Sequence, residues 1–426
     1  MNNRPEIVIV GGGFGGISAA KALRKTNCNI TLVDKRNHHL FQPLLYQVAT
    51  AALSPGDIAV PIRAIFGNDN NVRTVLGEVV SIDKTDNCVH LADDSSIKFD
   101  YLILAPGAIY NYFGNERWKS HAPGLKTLKN ALSVRERILI SLEEADKLDD
   151  PLARKKYLTY AVIGAGPTGV EMAGAIAEIA KRNMMRDFRN IKIDETEIFL
   201  IEAAGNVLNG YPEDLSNKAK SDLEEMGVKV LLNNPVKSIR EDGVELENSF
   251  IETPNIIWAA GVKASPLLES LHCKLDKMGR AVVEGHLNIP DHDSIFVIGD
   301  AAHVKGEDGQ PLPALAPVAL QQGKYLAKLI QKCESGKSTS SFKYVDKGTM
   351  ATIGRAKAVA DIRGLKFSGF LAWMLWSVIH IFFLIGFRNR FRVFAEWMWH
   401  YLTFKRGVRL ITNEPDAAKT DSSDES

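Results

Sequence analysis

Cysteine is scarce in this chain, and the four that occur stand far apart. Cys28, Cys88, Cys273 and Cys333 form no CxxC redox pair and no zinc-ligand spacing. Isolated thiols are what a reducing compartment tolerates. Net charge is almost absent too: 52 basic against 51 acidic residues leave a formal +1. A nucleic-acid partner would call for a basic footprint, so none is expected. The first five residues carry neither an apolar signal core nor an Arg- and Ser-rich transit sequence. The body of the protein is therefore expected in the cytosol. Residues 413–426 hold no apolar run and are expected to be a disordered acidic tail.

Against these absences stand two glycine signatures. The first, Gly11-x-Gly13-x-x-Gly16, follows the β-branched run EIVIV at 6–10 and precedes a helix expected over 17–25. Gly11 allows the tight turn, Gly13 the approach of a pyrophosphate, and Gly16 close helix–strand packing. The helix N-terminus adds oriented N–H groups for phosphate. Asp34, 18 residues past Gly16, closes the next strand and suits a ribose 2′-OH. The motif alone does not separate FAD from NAD. Gly299-Asp300, at the end of an apolar strand, favours FAD, because a carboxylate there can hold ribityl hydroxyls. The plainer role for Asp300 is a helix N-cap. Two other apolar strands end in glycine, at Ala105-Pro106-Gly107 and at Gly261, and these positions are taken as further cofactor contacts.

The second signature, Gly164-x-Gly166-x-x-Gly169, follows a strand at 160–163 and leads into a helix expected from Val170. Glu202 ends the next strand, at 197–201. It can accept from an adenine-ribose 2′-OH and would repel a 2′-phosphate, so NADH is expected over NADPH. Glu171, expected in the first turn of that helix, is either an acid favoured by the helix dipole or a group at the nicotinamide end. Two dinucleotide sites in one chain imply a hydride relay from NADH through FAD to a second acceptor. Between them, residues 72–100 read as a small antiparallel flap.

A helix is expected over 314–328, with Pro317 in its first turn. Gln321 and Gln322 lie one turn in, either as quinone ligands or as ordinary surface glutamines. Residues 369–387 are nearly all apolar, with Ser377 and His380 interrupting. Eight basic side chains and one acid lie between 363 and 409, among Trp373, Trp376, Trp397, Trp399 and Tyr401. That is a membrane-interface composition. Phe391, Phe394, Met398 and Tyr401 fall on one helical face. The apolar stretch reads as a helix lying in one leaflet, with a spanning helix and a dimer interface as alternatives. Membrane docking points to an acceptor dissolved in the bilayer, a quinone.

The chain resembles the type II NADH:quinone oxidoreductases over most of its length. The stretches that carry this are DKRNHHLFQPLLYQVATAALSPGDIAVP from Asp34, GAGPTGVEMAGA from Gly164, IGDAA from Ile298, APVALQQG from Ala316 and ATIGRAKAVAD from Ala351. The resemblance implies an α/β fold with two Rossmann-like dinucleotide-binding domains, for FAD and NADH, and a C-terminal amphipathic helical membrane-docking region. It implies a monotopic enzyme at the cytoplasmic face of the cell membrane that reduces ubiquinone or menaquinone without pumping protons, commonly as a homodimer. It also implies that Gln47 and Thr50 approach the flavin, that Asp300 holds FAD, and that Glu171 lies near the nicotinamide. Ala316 belongs to the same set of expected cofactor contacts. Where many members read Ala-Gln-x-Ala-x-Gln, this chain has Pro317 at the first glutamine and retains Gln321. The expected domains are 1–113 and 266–340 for FAD, 114–265 for NADH, 341–412 for the C-terminal region and 413–426 for the tail. The rival activity is that of a sulfide:quinone oxidoreductase, which needs redox cysteines near the flavin. A non-catalytic membrane redox sensor is the non-enzyme alternative.

Overall fold

The computed structural model describes residues 4–179, 187–188, 190–403 and 408–411. The expected disordered tail at 413–426 lies outside them, as do Lys405 and Arg406 of the basic group. In chain order the elements that matter for function begin with β1 (Glu6–Val10), α1 (Phe14–Leu23), β2 (Asn29–Asp34), α2 (Leu45–Ala49), β3 (Val72–Leu76) and β4 (Tyr101–Leu104). They continue with β5 (Thr159–Ile163), α3 (Pro167–Glu178), β6 (Glu197–Ile201), β7 (Val228–Leu231), β8 (Asn255–Trp258), β9 (Ile295–Val297) and α4 (Ala316–Glu334). The C-terminal part holds β10 (Thr349–Gly354), β11 (Lys357–Ile362), β12 (Leu365–Ser368), α5 (Gly369–Phe383) and α6 (Phe387–Thr403).

The chain divides into two compact units. One comprises Met1–Phe41, Ala59–Asn111 and Gly261–Gly348; the other comprises Gln42–Ile58, Tyr112–Ala260 and Thr349–Ser426. In the first unit five parallel strands run in the order β9-β4-β1-β2-β3. Ile7, Ile9, Leu32, Leu102, Ile103 and Val297 are fully buried in it. Apolar residues on both faces of a strand are what a sheet covered on both sides requires. Residues 72–76, expected in the flap, instead extend this sheet parallel to β2. The antiparallel flap is confined to Val79–Asp83, Cys88–Leu91 and Ser96–Lys98. The β3 sequence VRTVL is half polar because it forms the sheet's edge, and that alternation mimics an antiparallel strand.

The second unit repeats the plan with β7-β6-β5-β8, again all parallel. Its α3 starts at Pro167, immediately after Gly166, rather than at Val170. Glu171 is therefore the fifth residue, in the second turn, where the helix dipole acts weakly.

The same unit contains an antiparallel sheet, β10-β11-β12, which the expectation of a C-terminal amphipathic helical region did not include. Its edge strand β10 packs on α3. A Cβ at Gly174 would lie 1.6 Å from the Ile353 carbonyl oxygen, so only glycine permits this approach. Two carboxylates of α3 accept N–H groups along and just past β10: Glu171 from Thr352 in the strand and Glu178 from Arg355 in the turn after it. Satisfying an edge strand's donors in this way also closes it to further pairing.

After β12 the apolar segment is a 15-residue helix, α5, that ends at Phe383; the chain turns through Gly386, at φ +90°, into α6. No helix among the described residues is long and apolar enough to cross a membrane. The expected face of α6 is split. Phe391, Phe394 and Met398 are exposed together with Phe387, whereas Val393 is buried and Trp397 and Tyr401 turn inward to a cavity. Positions 393, 397 and 401 recur at four-residue spacing and so share the inner face.

Candidate active site

The two glycine loops are built alike. Gly11 and Gly164 have φ of +104° and +99°, and their N–H groups donate to carbonyls at the C-terminal ends of the neighbouring strands, those of Val33 and Ile201. A Cβ at Gly16 would stand 1.9 Å from the Gly11 carbonyl oxygen; one at Gly169 would stand 1.8 Å from that of Gly164. Around Gly13 and Gly166, the helix N-caps, nothing lies within 4 Å of such an atom. Each loop thus combines tight packing on one side with open backbone at a helix N-terminus, a cradle suited to a pyrophosphate.

The acids correspond as well. Asp34 accepts from Gly12 N–H at 2.6 Å and from Arg36 N–H at 2.7 Å. Glu202 accepts from Ala165 N–H at 2.7 Å and from Ala204 N–H at 2.9 Å. Each is oriented by its own loop and keeps lone pairs for a ribose hydroxyl. Gly107 and Gly261, at φ +70° and +67°, occupy the turns after β4 and the β8 segment. A Cβ at Gly11 would meet the Ala105 carbonyl oxygen at 2.2 Å.

Sequence reasoning passed over His39. It is buried, and its Nδ1 lies 2.9 Å from the Gly12 carbonyl oxygen. Burial lowers its pKa to about 4, so the ring is neutral and donates through Nδ1. Phe14 packs edge-on against its ring and against Phe41. The signal was present in the pair His38-His39 but had no spacing rule to reveal it.

In the first unit, Gly299 turns at φ +70° into the Asp300 position, and Ala316 and Pro317 open α4. The two glutamines point to different partners. Gln321 is engaged at both ends of its amide by the Val345 backbone, with Nε2 donating at 2.9 Å and Oε1 accepting at 3.0 Å. Gln322 is fully buried, and its Oε1 accepts from Gly299 N–H at 2.7 Å.

In the second unit, Gln47, Thr50 and Glu171 come together. They line a cavity of about 80 Å³ with Tyr46, Thr352, Arg355, Trp373, Trp376, Trp397 and Tyr401. That is room for several waters. Trp376 stacks on His380 and on Trp397, and Trp373 on Tyr401, with centroid distances of 4.1, 5.4 and 5.5 Å. The Arg355 guanidinium lies over the Tyr401 ring, 4.1 Å from its centroid. Burial pushes the Glu171 carboxyl well above the usual carboxylate range, and the Thr352 N–H opposes this only in part. Its solvent contact is partial, through the cavity itself. All four cysteines are free, and none lines this cavity.

Residues 5–323 match the pyridine nucleotide-disulphide oxidoreductase family, and residues 347–406 match the NDH2 C-terminal domain. The type II NADH:quinone oxidoreductase Ndh of Mycobacterium tuberculosis is 40% identical over 98% of this chain and 92% of its own length. The chain belongs to the type II NADH:quinone oxidoreductases. The fold agrees: NDH2 from Plasmodium falciparum, in complex with NADH, superposes with a TM-score of 0.87 at 20% identity, covering 96% of this chain and all of that one. The sulfide:quinone oxidoreductase of Aquifex aeolicus shares the fold at a TM-score of 0.73 and 19% identity, over 91% of this chain and 92% of its own. In this type II enzyme, the match of the C-terminal domain covers β10 to α6, the part that forms most of the aromatic cavity.

Proposed function

We propose that this chain oxidises NADH and reduces a membrane quinone to the quinol at the cytoplasmic face of the cell membrane, as a homodimer. The overall exchange is NADH + H⁺ + quinone → NAD⁺ + quinol, so the acceptor takes two electrons and two protons. The residues present fit both cofactors. Gly11, Gly13, Gly16, Asp34 and Asp300, with the Ala105–Gly107 turn, would hold FAD. Gly164, Gly166, Gly169 and Glu202 would hold NADH. FAD, when bound, supplies the two-electron carrier.

The observation that carries the reading is the aromatic cavity of the second unit, which has in its wall an acid whose pKa burial raises. We assign the quinone ring to it. Stacked Trp and Tyr rings suit a flat, apolar ligand, and Glu171, whose pKa burial raises well above the usual carboxylate range, is placed to donate a proton to a quinone oxygen. This assignment replaces Gln321 as the leading quinone contact, since its amide is already occupied by Val345. The outward faces of α5 and α6, with Phe370, Leu371, Val378, Phe382, Phe387 and Phe391, form an apolar patch beside Arg388, Arg390 and Arg392. Such a patch next to cations suits an anionic membrane surface.

Stopped-flow tests the function directly. NADH is expected to bleach the flavin absorbance and a short-chain quinone to restore it, whereas NADPH bleaches it slowly. Bleaching by NADH without reoxidation by quinone would keep the donor reading and overturn the acceptor.

A further inference from the structure

We infer that Gln322 is a positioning residue for the Gly299–Asp300 turn of the FAD site. The inference rests on the reading that this turn holds FAD. Helix α4 crosses α1 at very short range: a Cβ at Gly323 would lie 2.5 Å from the Gly15 carbonyl oxygen and 2.8 Å from Ala19 N. Ser18 Oγ donates to the Leu320 carbonyl at 2.8 Å across the same crossing. The residue beside Gly323 therefore projects from a fixed origin. From there Gln322 reaches the Gly299 N–H.

That N–H needs an acceptor. The ladder of β9 continues to Ile298, whose N–H goes to Leu104. At Gly299 the chain leaves the sheet with φ +70° and has no strand partner for its donor. Gln322 supplies the missing carbonyl. Its other amide atom, Nε2, is buried and has no partner among the described residues. A fully buried side chain with both amide N–H donors unsatisfied is costlier there than leucine would be. What the glutamine provides in return is one acceptor, aimed at the turn that sets the direction of Asp300. Helix α1 opens at the Gly13 cap, so one brace ties the turn, the phosphate-binding helix and α4 into a single register.

The test is the rate of FAD release from the holoprotein, followed as recovery of flavin fluorescence on dilution. Gln322→Met keeps the shape and removes the acceptor; it is expected to release FAD about three- to tenfold faster, the scale of one hydrogen bond. Gln322→Glu, whose buried carboxyl stays protonated, keeps the acceptor and is expected to remain within about threefold of the parent. A purely structural role would lower the thermal midpoint of the Met variant and leave its release rate unchanged, which would overturn the inference. So would a Glu variant that releases FAD as fast as Asp300→Asn, and this arm stands even if the Met variant does not fold. If Asp300→Asn itself releases FAD at the parent rate, the reading of the turn as the FAD site falls first. If Asp300→Asn is fast and Gln322→Met is not, only the role of Gln322 falls.

Discussion

The indole N–H of Trp397 donates to the Gln47 side-chain oxygen at 2.7 Å, and the Gln47 amide nitrogen in turn donates to the Tyr46 hydroxyl at 2.9 Å. A residue of the last amphipathic helix is thereby fastened to α2, in the wall of the aromatic cavity. Trp397 also stacks on Trp376, so its ring and its N–H do separate jobs.

Trp397→Phe separates them. The phenyl ring keeps the stack, and Gln47 loses its donor. A buried hydrogen bond of about 1 kcal/mol converts to roughly fivefold. The quinone KM is expected to rise by that order, while NADH oxidation with ferricyanide as acceptor stays at the parent rate. An unchanged quinone KM would remove Trp397 from the acceptor site.

Glu171 gives a pH dependence with a definite sign. Burial raises its folded pKa above the ordinary 4.5, so the neutral acid is the form the fold prefers. Its contribution to stability is fully present below that ordinary value and is lost as pH rises through the higher folded pKa. Glu171→Gln is neutral throughout. Thermal midpoints of the two proteins are expected to coincide near pH 4 and to diverge at pH 8, with the variant higher. Its quinone turnover is expected to fall by at least about tenfold, as loss of a general acid implies. A variant with equal midpoints at pH 8 would mean that the fold does not raise the pKa of this carboxyl.

The parts legible in the sequence are those whose requirement is local. A glycine with φ near +100°, or one whose Cβ would strike a carbonyl two ångströms away, leaves its mark as a glycine at fixed spacing, and both loops were found that way. Direction was not legible. Gln321 and Gln322 are neighbours of one type, yet one turns to Val345 and the other into the core beneath Gly299. Trp376, Trp397 and Tyr401 read as a membrane belt. They turn inward because α5 stops at Phe383 and the chain turns at Gly386 into α6, whose rings stack on those of α5. The sheet β10-β11-β12 was not legible because its alternation runs ATIGRAKAVAD, with the small residues Ala358 and Ala360 where β11 meets Ala372 of α5 rather than large apolar ones.

Glu202 is the residue we propose for the nucleotide preference. Its carboxylate is held by Ala165 and Ala204 N–H groups, so it stays in place when the 2′ position changes. Glu202→Gln removes the charge that repels a 2′-phosphate. The ratio of kcat/KM for NADH over NADPH is expected to fall by about tenfold, near the 1.4 kcal/mol of a single modest charge contact. A ratio that does not move would assign the discrimination elsewhere.

Gly174→Ala places a methyl carbon 1.6 Å from the Ile353 carbonyl oxygen, and backbone cannot yield as a side-chain tip can. The expected cost is about 1–3 kcal/mol or more. The damage should centre on the seam between α3 and β10, where Glu171 and Glu178 hold the edge strand. Quinone reductase activity is therefore expected to drop before ferricyanide reductase activity as temperature is raised. Parallel loss of the two would show that the seam melts with the whole unit.

The exposed rings of α5 and α6 decide between a lipid surface and a second copy of the chain. Val378, Phe382 and Phe391 are 62%, 66% and 63% exposed, so replacing all three by glutamate costs the fold little. If they enter the bilayer, the triple variant should fail to float with vesicles of partly anionic lipid. It should keep its turnover with a short-chain soluble quinone and lose it with a long-chain quinone confined to the vesicle. Charged groups in the acyl region are costly enough for three of them to abolish binding. If the same face instead joins two protomers, the variant would still float and would run as a monomer in detergent. That outcome would move membrane contact to the arginines that follow Gly386.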